Sequence, residues 1–395
     1  MRHYVPHLGV MLAVQSLSSV CVAAIPVLAP AIARDVGIPA TGIGMYTMIL
    51  YSGGIASALI GGALVPRFGA IRTCQAAAVL SAIALLATLS GHVAGLVLCA
   101  IILGFGLGPP TPASSHLLFR VTPPTRLGLV LSIKQTGVPI GGALAGALLP
   151  ALTVLWGWRG AVLAVALASI SVVVLLQPWR AGMDADRDPT RPLTLPGVWA
   201  GIGLIWRDPD LRLIGMAAAI LSAGQVCVSA FYVTYLVEVI GLALMTAGFA
   251  LSTALVTGAA GRVLWGAVAD WSGRPLAIFA GLAATAAAAM LVAGRFSIDQ
   301  SLVAIHATSA VLGATTIGWA GVAYAEIARR APAGRAAEAS GGITSVMFAG
   351  IVVGPAIFGL VASASGFAAA FVAMASVLSL VAMALAWRVA RRGAR

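Results

Sequence analysis

Two basic side chains interrupt long apolar runs: Lys134 in Ser132-Ile133-Lys134-Gln135-Thr136-Gly137, and Arg262 in Gly261-Arg262-Val263-Leu264-Trp265. Lys134 is the only lysine in the chain. It stands eight residues beyond Arg126, and Arg262 stands eight residues before Asp270. Helical rise therefore puts both at the same depth, roughly 12 Å from the nearest charged boundary. A cation that deep in lipid is costly and turns toward protein or a water-filled cavity. No aspartate or glutamate stands at a matching depth to neutralise either one. The chemistry on offer is anion recognition, with the ammonium as a point charge and the guanidinium as a planar fork for a carboxylate. Facing each other at ~8–10 Å they would repel by about 2 kcal/mol at an effective dielectric of roughly 20, a cost that a bound anion removes. A competing reading ties Arg262 to backbone carbonyls or to Asp270 and lets Lys134 snorkel to the inner surface. Gln15, Tyr51, Gln225, Tyr232 and His306 are the remaining polar candidates for the same space.

The elements that position these groups are membrane helices. The 395 residues are 61% hydrophobic and 9% charged, with mean hydropathy +1.04, too few charges to keep a soluble surface wet. Apolar runs long enough to cross a ~30 Å hydrocarbon layer recur throughout, and the alternating pattern of an outer-membrane barrel is missing. Twelve spans are expected, with both termini cytoplasmic. The external loops then hold Arg34, Arg159 and Arg295, the spans hold Lys134 and Arg262, and the cytoplasmic side holds 18 of the 23 basic residues. That asymmetry accounts for the net charge of +12 and disfavours nucleic-acid binding. The N-terminal apolar run reads as an uncleaved first span rather than a secretory signal. The four cysteines fall at unrelated spacings inside spans and read as small core residues. No metal motif and no cofactor-binding motif is present; Gly104-Phe105-Gly106-Leu107-Gly108-Pro109-Pro110 follows no strand and reads as a broken helix instead of a dinucleotide loop.

A polar, proline-containing stretch divides the chain into residues 1–178, a linker at 179–210, and residues 211–395. A short amphipathic segment, Trp199–Trp206, is expected on the inner surface, and Arg34-Asp35 is expected as a solvated pair. His116 is read as structural, Glu326 as an inner-edge ion pair, and Phe231, Tyr232 and Tyr235 as either an interface belt or an external gate. The halves repeat each other. Gly62 to Gly69 corresponds to Gly266 to Gly273 at an offset of 204, and Arg126 to Arg335 and Gly141 to Gly350 at 209. A parallel repeat of two bundles places a binding site at their interface near the bilayer midplane.

The turn Gly266-x-x-Ala269-Asp270-x-x-Gly273-Arg274 resembles the signature loop of the major facilitator superfamily. A second copy, Gly62-Ala63-Leu64-Val65-Pro66-Arg67-Phe68-Gly69, has Pro66 where that family has aspartate. Val138-Pro139-Ile140-Gly141-Gly142 resembles the family's fifth-helix motif. The resemblance covers essentially the whole chain. It implies an all-α fold of twelve transmembrane helices in two six-helix bundles, with spans five and eight flanking one cavity. Arg262-x-x-x-Gly266-x-x-Ala269-Asp270 is also similar to the eighth-helix stretch of monocarboxylate transporters, whose arginine binds substrate. The Lys-Gln-Thr-Gly-Val-Pro segment resembles cyanate-permease-like members.

The sequence thus points to a monomeric secondary transporter of the bacterial inner membrane that moves a small anion, most simply a carboxylate, by alternating access. Proton symport, uniport and anion exchange all remain open. Lys134 and Arg262 would clamp substrate. The Asp270 turn, with Gly266, Gly273 and Arg274, would latch the cytoplasmic side against the start of span five at Arg126. Gly62, Arg67 and Gly69 would form the matching turn, and Glu338 would supply the charge missing at Pro66. Proton-coupled drug efflux is the nearest alternative, although it favours an acidic cavity residue. A non-transporting sensor would carry a signalling domain, and an enzyme would need a catalytic cluster in the spans.

Overall fold

A computed structural model describes residues 4–123, 127–190, 198–330 and 336–393. The described elements are helices: α1 (Tyr4–Val36), α2 (Ile43–Phe68), α3 (Ala70–Ala87), α4 (Val93–Leu107), α5 (Pro110–Val121), α6 (Leu127–Gln135), α7 (Gly137–Leu176), α8 (Arg180–Met183), α9 (Val198–Arg207), α10 (Pro209–Glu238), α11 (Leu244–Ser272), α12 (Pro275–Ala293), α13 (Leu302–Thr316), α14 (Ala320–Arg330) and α15 (Ala336–Gly393). Among the described residues, nine helical stretches are long and apolar enough to cross a membrane. The chain forms two compact units, one of residues 1–40 and 49–196, the other of residues 41–48 and 197–395.

Each unit is built by close helix pairs in which a glycine of one helix meets a carbonyl of the other. In the first, α1 packs along α7, and a Cβ at Gly141 would stand 2.0 Å from the Ser16 oxygen. In the second, α10 packs along α15, and a Cβ at Gly350 would stand 1.9 Å from the Ala219 oxygen. Only the missing side chain permits such approach, which van der Waals packing in lipid rewards. The long helices α7 and α15 each turn at one glycine, Gly157 (φ 69°) and Gly366 (φ 85°), again 209 residues apart. Both are in the left-handed region, where a side chain is disfavoured.

Several expectations are revised here. Phe231, Tyr232 and Tyr235 do not form an interface belt: all three are at most 1% exposed, within the second unit. Phe231 packs on Phe358 at 4.9 Å, and Tyr235 on Phe371 at 5.0 Å with its hydroxyl donating to the Ala293 oxygen. Amphipathic rings of this kind bury well when the polar tip finds a partner. Asp35 pairs with Arg159 at 2.8 Å rather than with its neighbour Arg34, because the end of α1 and the start of the second half of α7 lie side by side. The polar linker is not simply solvated: α8 and the turn after it dock on the first unit, where the Asp188 amide donates to the Pro66 oxygen at 2.8 Å. The amphipathic helix α9 forms as expected and buries Leu204 and Ile205 against α10 and α15. All four cysteines are buried.

Candidate functional site

In the second unit the site is the seam between α11 and α13, which run parallel in a fixed register. Thr253 Oγ1 and His306 Nδ1 lie 2.9 Å apart, and Thr257 Oγ1 donates to the Ala310 oxygen at 3.0 Å. Further along, Trp265 Nε1 donates to the Ala314 oxygen at 2.8 Å, and Arg262 Nε donates to the Ile317 oxygen at 3.2 Å. Gly313 allows this: a Cβ there would stand 1.7 Å from the Ala254 oxygen. The seam ends at a break, residues Ile317–Trp319, between α13 and α14. Arg262 is half-buried, and its Nε bond to a backbone carbonyl is of the kind the competing reading expects. His306 also lines an open depression with Phe249, Ser252, Thr253, Val256 and Thr257. Tyr232, on the other side of α13, is enclosed, its hydroxyl 2.8 Å from Ser309 Oγ. Gln225 is half-buried on α10.

In the first unit, Lys134 closes α6 and is 1% exposed. Its hydrogen bond runs from Nζ to Gln135 Oε1 at 3.3 Å, and among the described residues no carboxylate pairs with it. It lies within electrostatic reach of Cys74 on α3, so it points into the unit's interior and neither snorkels nor faces open water. Gln15 is brought to the next turn: its Cβ and Cγ lie about 3.0 and 3.1 Å from where a Cβ at Gly137 would be. The Gln15 Oε1 atom is buried without a hydrogen-bond partner. A buried ammonium and a buried orphan acceptor on adjacent elements leave polar capacity for a ligand or water to complete. Tyr51 is half-buried on α2.

The two signature turns differ. Gly273 (φ 62°) ends α11 with its amide on the Ala269 oxygen, and α12 then starts at Pro275. Arg274 is exposed there, and Gly266 lies one turn back on α11. At the matching turn Gly69 (φ 98°) precedes α3, and Arg67 stacks near Phe68 at 5.6 Å. The first amides of α3 do not go uncapped. Asp184 of the linker, 4% exposed, accepts from Ile71 N at 2.7 Å and Arg72 N at 3.1 Å. Beside it His116 Nε2 and Asp186 Oδ2 are 2.7 Å apart, Arg120 pairs with the same carboxylate, and Arg120 also holds the Met183 oxygen at 2.9 Å. Partial burial alone would raise the Asp186 carboxyl, but hydrogen bonds from His116 and Arg120 outweigh it and hold it below the usual carboxylate range. The second unit has its own charged network. Arg330 joins Glu326 and Asp210, and Arg388 Nε reaches Asp210 at 2.5 Å. Glu326 is therefore the ion pair expected of it, though in a larger set. Arg126, the Asp270 and Glu338 side chains and the surroundings of Gly62 lie outside the described residues.

Sequence reasoning passed over Asp184, Trp265, Thr253 and Thr257. The missing aspartate at Pro66 was a signal for Asp184, since a helix start in want of a carboxylate invites one from elsewhere. An indole three residues from a deep arginine was a signal for Trp265, because its N–H needs an acceptor in lipid.

The family model described as the Major Facilitator Superfamily matches residues 11–341. The hexuronate transporter of Bacillus subtilis (strain 168) is 28% identical over 142 residues, 34% of this chain. An uncharacterised MFS-type transporter of Mycobacterium tuberculosis (strain CDC 1551 / Oshkosh) is 26% identical over 288 residues, 71% of this chain. These alignments span 32% and 62% of the two relatives' own lengths. Among solved structures, a bacterial homologue of the human lysosomal transporter Spinster, inward-facing and unoccupied, superposes with TM-score 0.78 over 99% of this chain and 98% of that one, at 16% identity. A POT family transporter in complex with 5-aminolevulinic acid gives 0.76 over 96% and 95%, at 14% identity. At such identities the likeness concerns the fold.

Proposed function

Because this chain belongs to the major facilitator superfamily, a family and fold of transporters and not of an enzyme class, we propose that it is a secondary carrier that moves a small organic anion across the membrane by alternating access. The observation that carries the anionic cargo is Lys134: an enclosed ammonium that no described carboxylate neutralises, on a helix packed against α1, whose Gln15 oxygen is orphaned. An isolated buried charge is strongly disfavoured, and a negative ligand that pairs with it offsets part of that cost. Arg262 on α11 is a second positive group suited to an anion. Support also comes from the hexuronate relative, whose named cargo is a carboxylate sugar.

In this reading the protein is a monomer with twelve spans and cytoplasmic termini in a bacterial inner membrane, and the Asp270 turn is its inner latch. Glucuronate uptake into proteoliposomes is the test. Uptake is expected in the wild type, with a loss of tenfold or more, ~1.4 kcal/mol in transition-state terms, for Lys134→Ala and for Arg262→Ala. Unimpaired anion uptake by both variants rejects the assignment. An inward proton gradient raises the initial rate if protons accompany the anion, and leaves it unchanged in uniport.

A further inference from the structure

The break between α13 and α14 has no covalent cause. No proline occurs from Leu302 to Ala331, and the residues around it, Ala314-Thr315-Thr316-Ile317-Gly318-Trp319-Ala320, are compatible with a continuous helix. In such a helix the Ala314 and Ile317 carbonyls would accept from the amides of residues 318 and 321. Here they accept from side chains of α11 instead: Trp265 Nε1 on Ala314 at 2.8 Å and Arg262 Nε on Ile317 at 3.2 Å. A third carbonyl, Thr316, accepts from the Trp319 indole at 2.8 Å. In a membrane an unsatisfied carbonyl is expensive, so broken helices persist only where neighbouring groups take over the freed bonds. Two backbones compete, bent with side-chain caps and straight with its own ladder. The neighbouring glycines suit both, because Gly261 brings α11 within 2.8 Å of the Ala314 oxygen, measured from a would-be Cβ.

We propose that Arg262 and Trp265 are positioning residues that hold the chain bent at Ile317–Trp319, and that an anion drawing the Arg262 guanidinium off the Ile317 carbonyl lets the helix straighten. The bend-holding role stands on this geometry alone. Its link to cargo rests on the carrier reading above. Arg262 then does more than attract charge, since it converts occupancy into a change of backbone at a helix junction. A ligand moves such an equilibrium only through differential contact with its two states, and the Ile317 bond is that contact.

Hydrogen–deuterium exchange of the full-length protein in lipid nanodiscs reads the bend directly. In Arg262→Leu and Trp265→Phe, amides 318–322 are expected to exchange more slowly, by about tenfold, because the ladder that covers them has re-formed. Faster or unchanged exchange there, with α12 as protected as in wild type, overturns the bend-holding role. If Arg262→Leu fails to fold, Arg262→Lys keeps the charge without the fork, and the same slowing is expected. Glucuronate added to wild type should slow the same amides, and should do nothing further in Arg262→Lys. Glucuronate uptake without any change at 318–322 overturns the link to cargo and leaves the carrier reading standing. Absent uptake, with slowed exchange in the variants, overturns the carrier reading for that cargo and leaves the bend-holding role standing.

Discussion

The pair α2–α4 in the first unit and the pair α11–α13 in the second share one plan and are finished differently. A Cβ at Gly104 would stand 2.5 Å from the Leu50 oxygen, and a Cβ at Gly313 would stand 1.7 Å from the Ala254 oxygen. Leu50 and Ala254 are 204 residues apart and Gly104 and Gly313 are 209 apart, the offsets of the repeat. Each pair leads to a break, at Gly108–Pro109 and at Ile317–Trp319. The first break is covalent, since Pro109, Pro110 and Pro112 lack the N–H groups that Phe105, Gly106 and Gly108 would need. One turn before the prolines, Ser57 Oγ donates to the Gly104 oxygen at 3.0 Å. The second break has no proline and is held by an indole and a guanidinium. The repeat thus carries one permanent joint and one that side chains hold, and the cation sits on the second.

The comparison can be broken at several points. Gly313→Ala should be the most damaging, because its new methyl meets backbone and not a yielding side chain; overpacking of this kind costs typically 1–3 kcal/mol, about the upper end here. Gly104→Ala, with more room, should cost less, and a reversed order of unfolding midpoints in detergent would show that the two pairs are not built alike. Ser57→Ala should cost about 1–2 kcal/mol, since the Gly104 oxygen loses its hydroxyl partner beside a break that the prolines keep open. Trp265→Phe should cost less than that, because its carbonyl can return to a backbone donor; an equal or larger loss of stability argues against the side-chain-held joint.

The two signature turns extend the contrast. Asp184→Ala removes the cap of α3 and should lower stability by about 0.5–2 kcal/mol, without an equivalent at α12, which starts at a proline and has no side-chain cap. The smallest effect belongs to Asp186. Its carboxyl is held below the usual range, so its contribution is present above the ordinary carboxylate value of about 4 and fades as pH falls through the lower folded value. Pairs this exposed contribute about 0.2–1 kcal/mol. Thermal unfolding of Asp186→Asn should therefore match wild type in strong acid and fall slightly below it near neutrality.

How much of this was legible in the sequence follows from the range of each interaction. The break after Gly108 was readable because proline acts on its own residue and the turn before it. The left-handed turn at Gly273 was readable as well, from a short motif. The break at Ile317 was not, since its cause is fifty residues away on α11. Asp184 was hidden for the same reason: it lies more than a hundred residues from the amides it caps. Tyr232 and Tyr235 looked like boundary aromatics, but helix faces are not assigned until neighbours are known.

The sequence by itself determined that this is a helical membrane protein with a duplicated plan, and that Lys134 and Arg262 each interrupt an apolar run eight residues from the next charge. Composition, spacing and helical rise are local quantities, and they fix depth along a helix axis. Only the tertiary structure decided the direction around that axis: Lys134 turned inward beside Gln15, Arg262 turned onto the Ile317 carbonyl, and a linker aspartate turned onto α3. Direction depends on which helix packs alongside and on which backbone groups that neighbour leaves unpaired, and neither is encoded within reach of the residue itself.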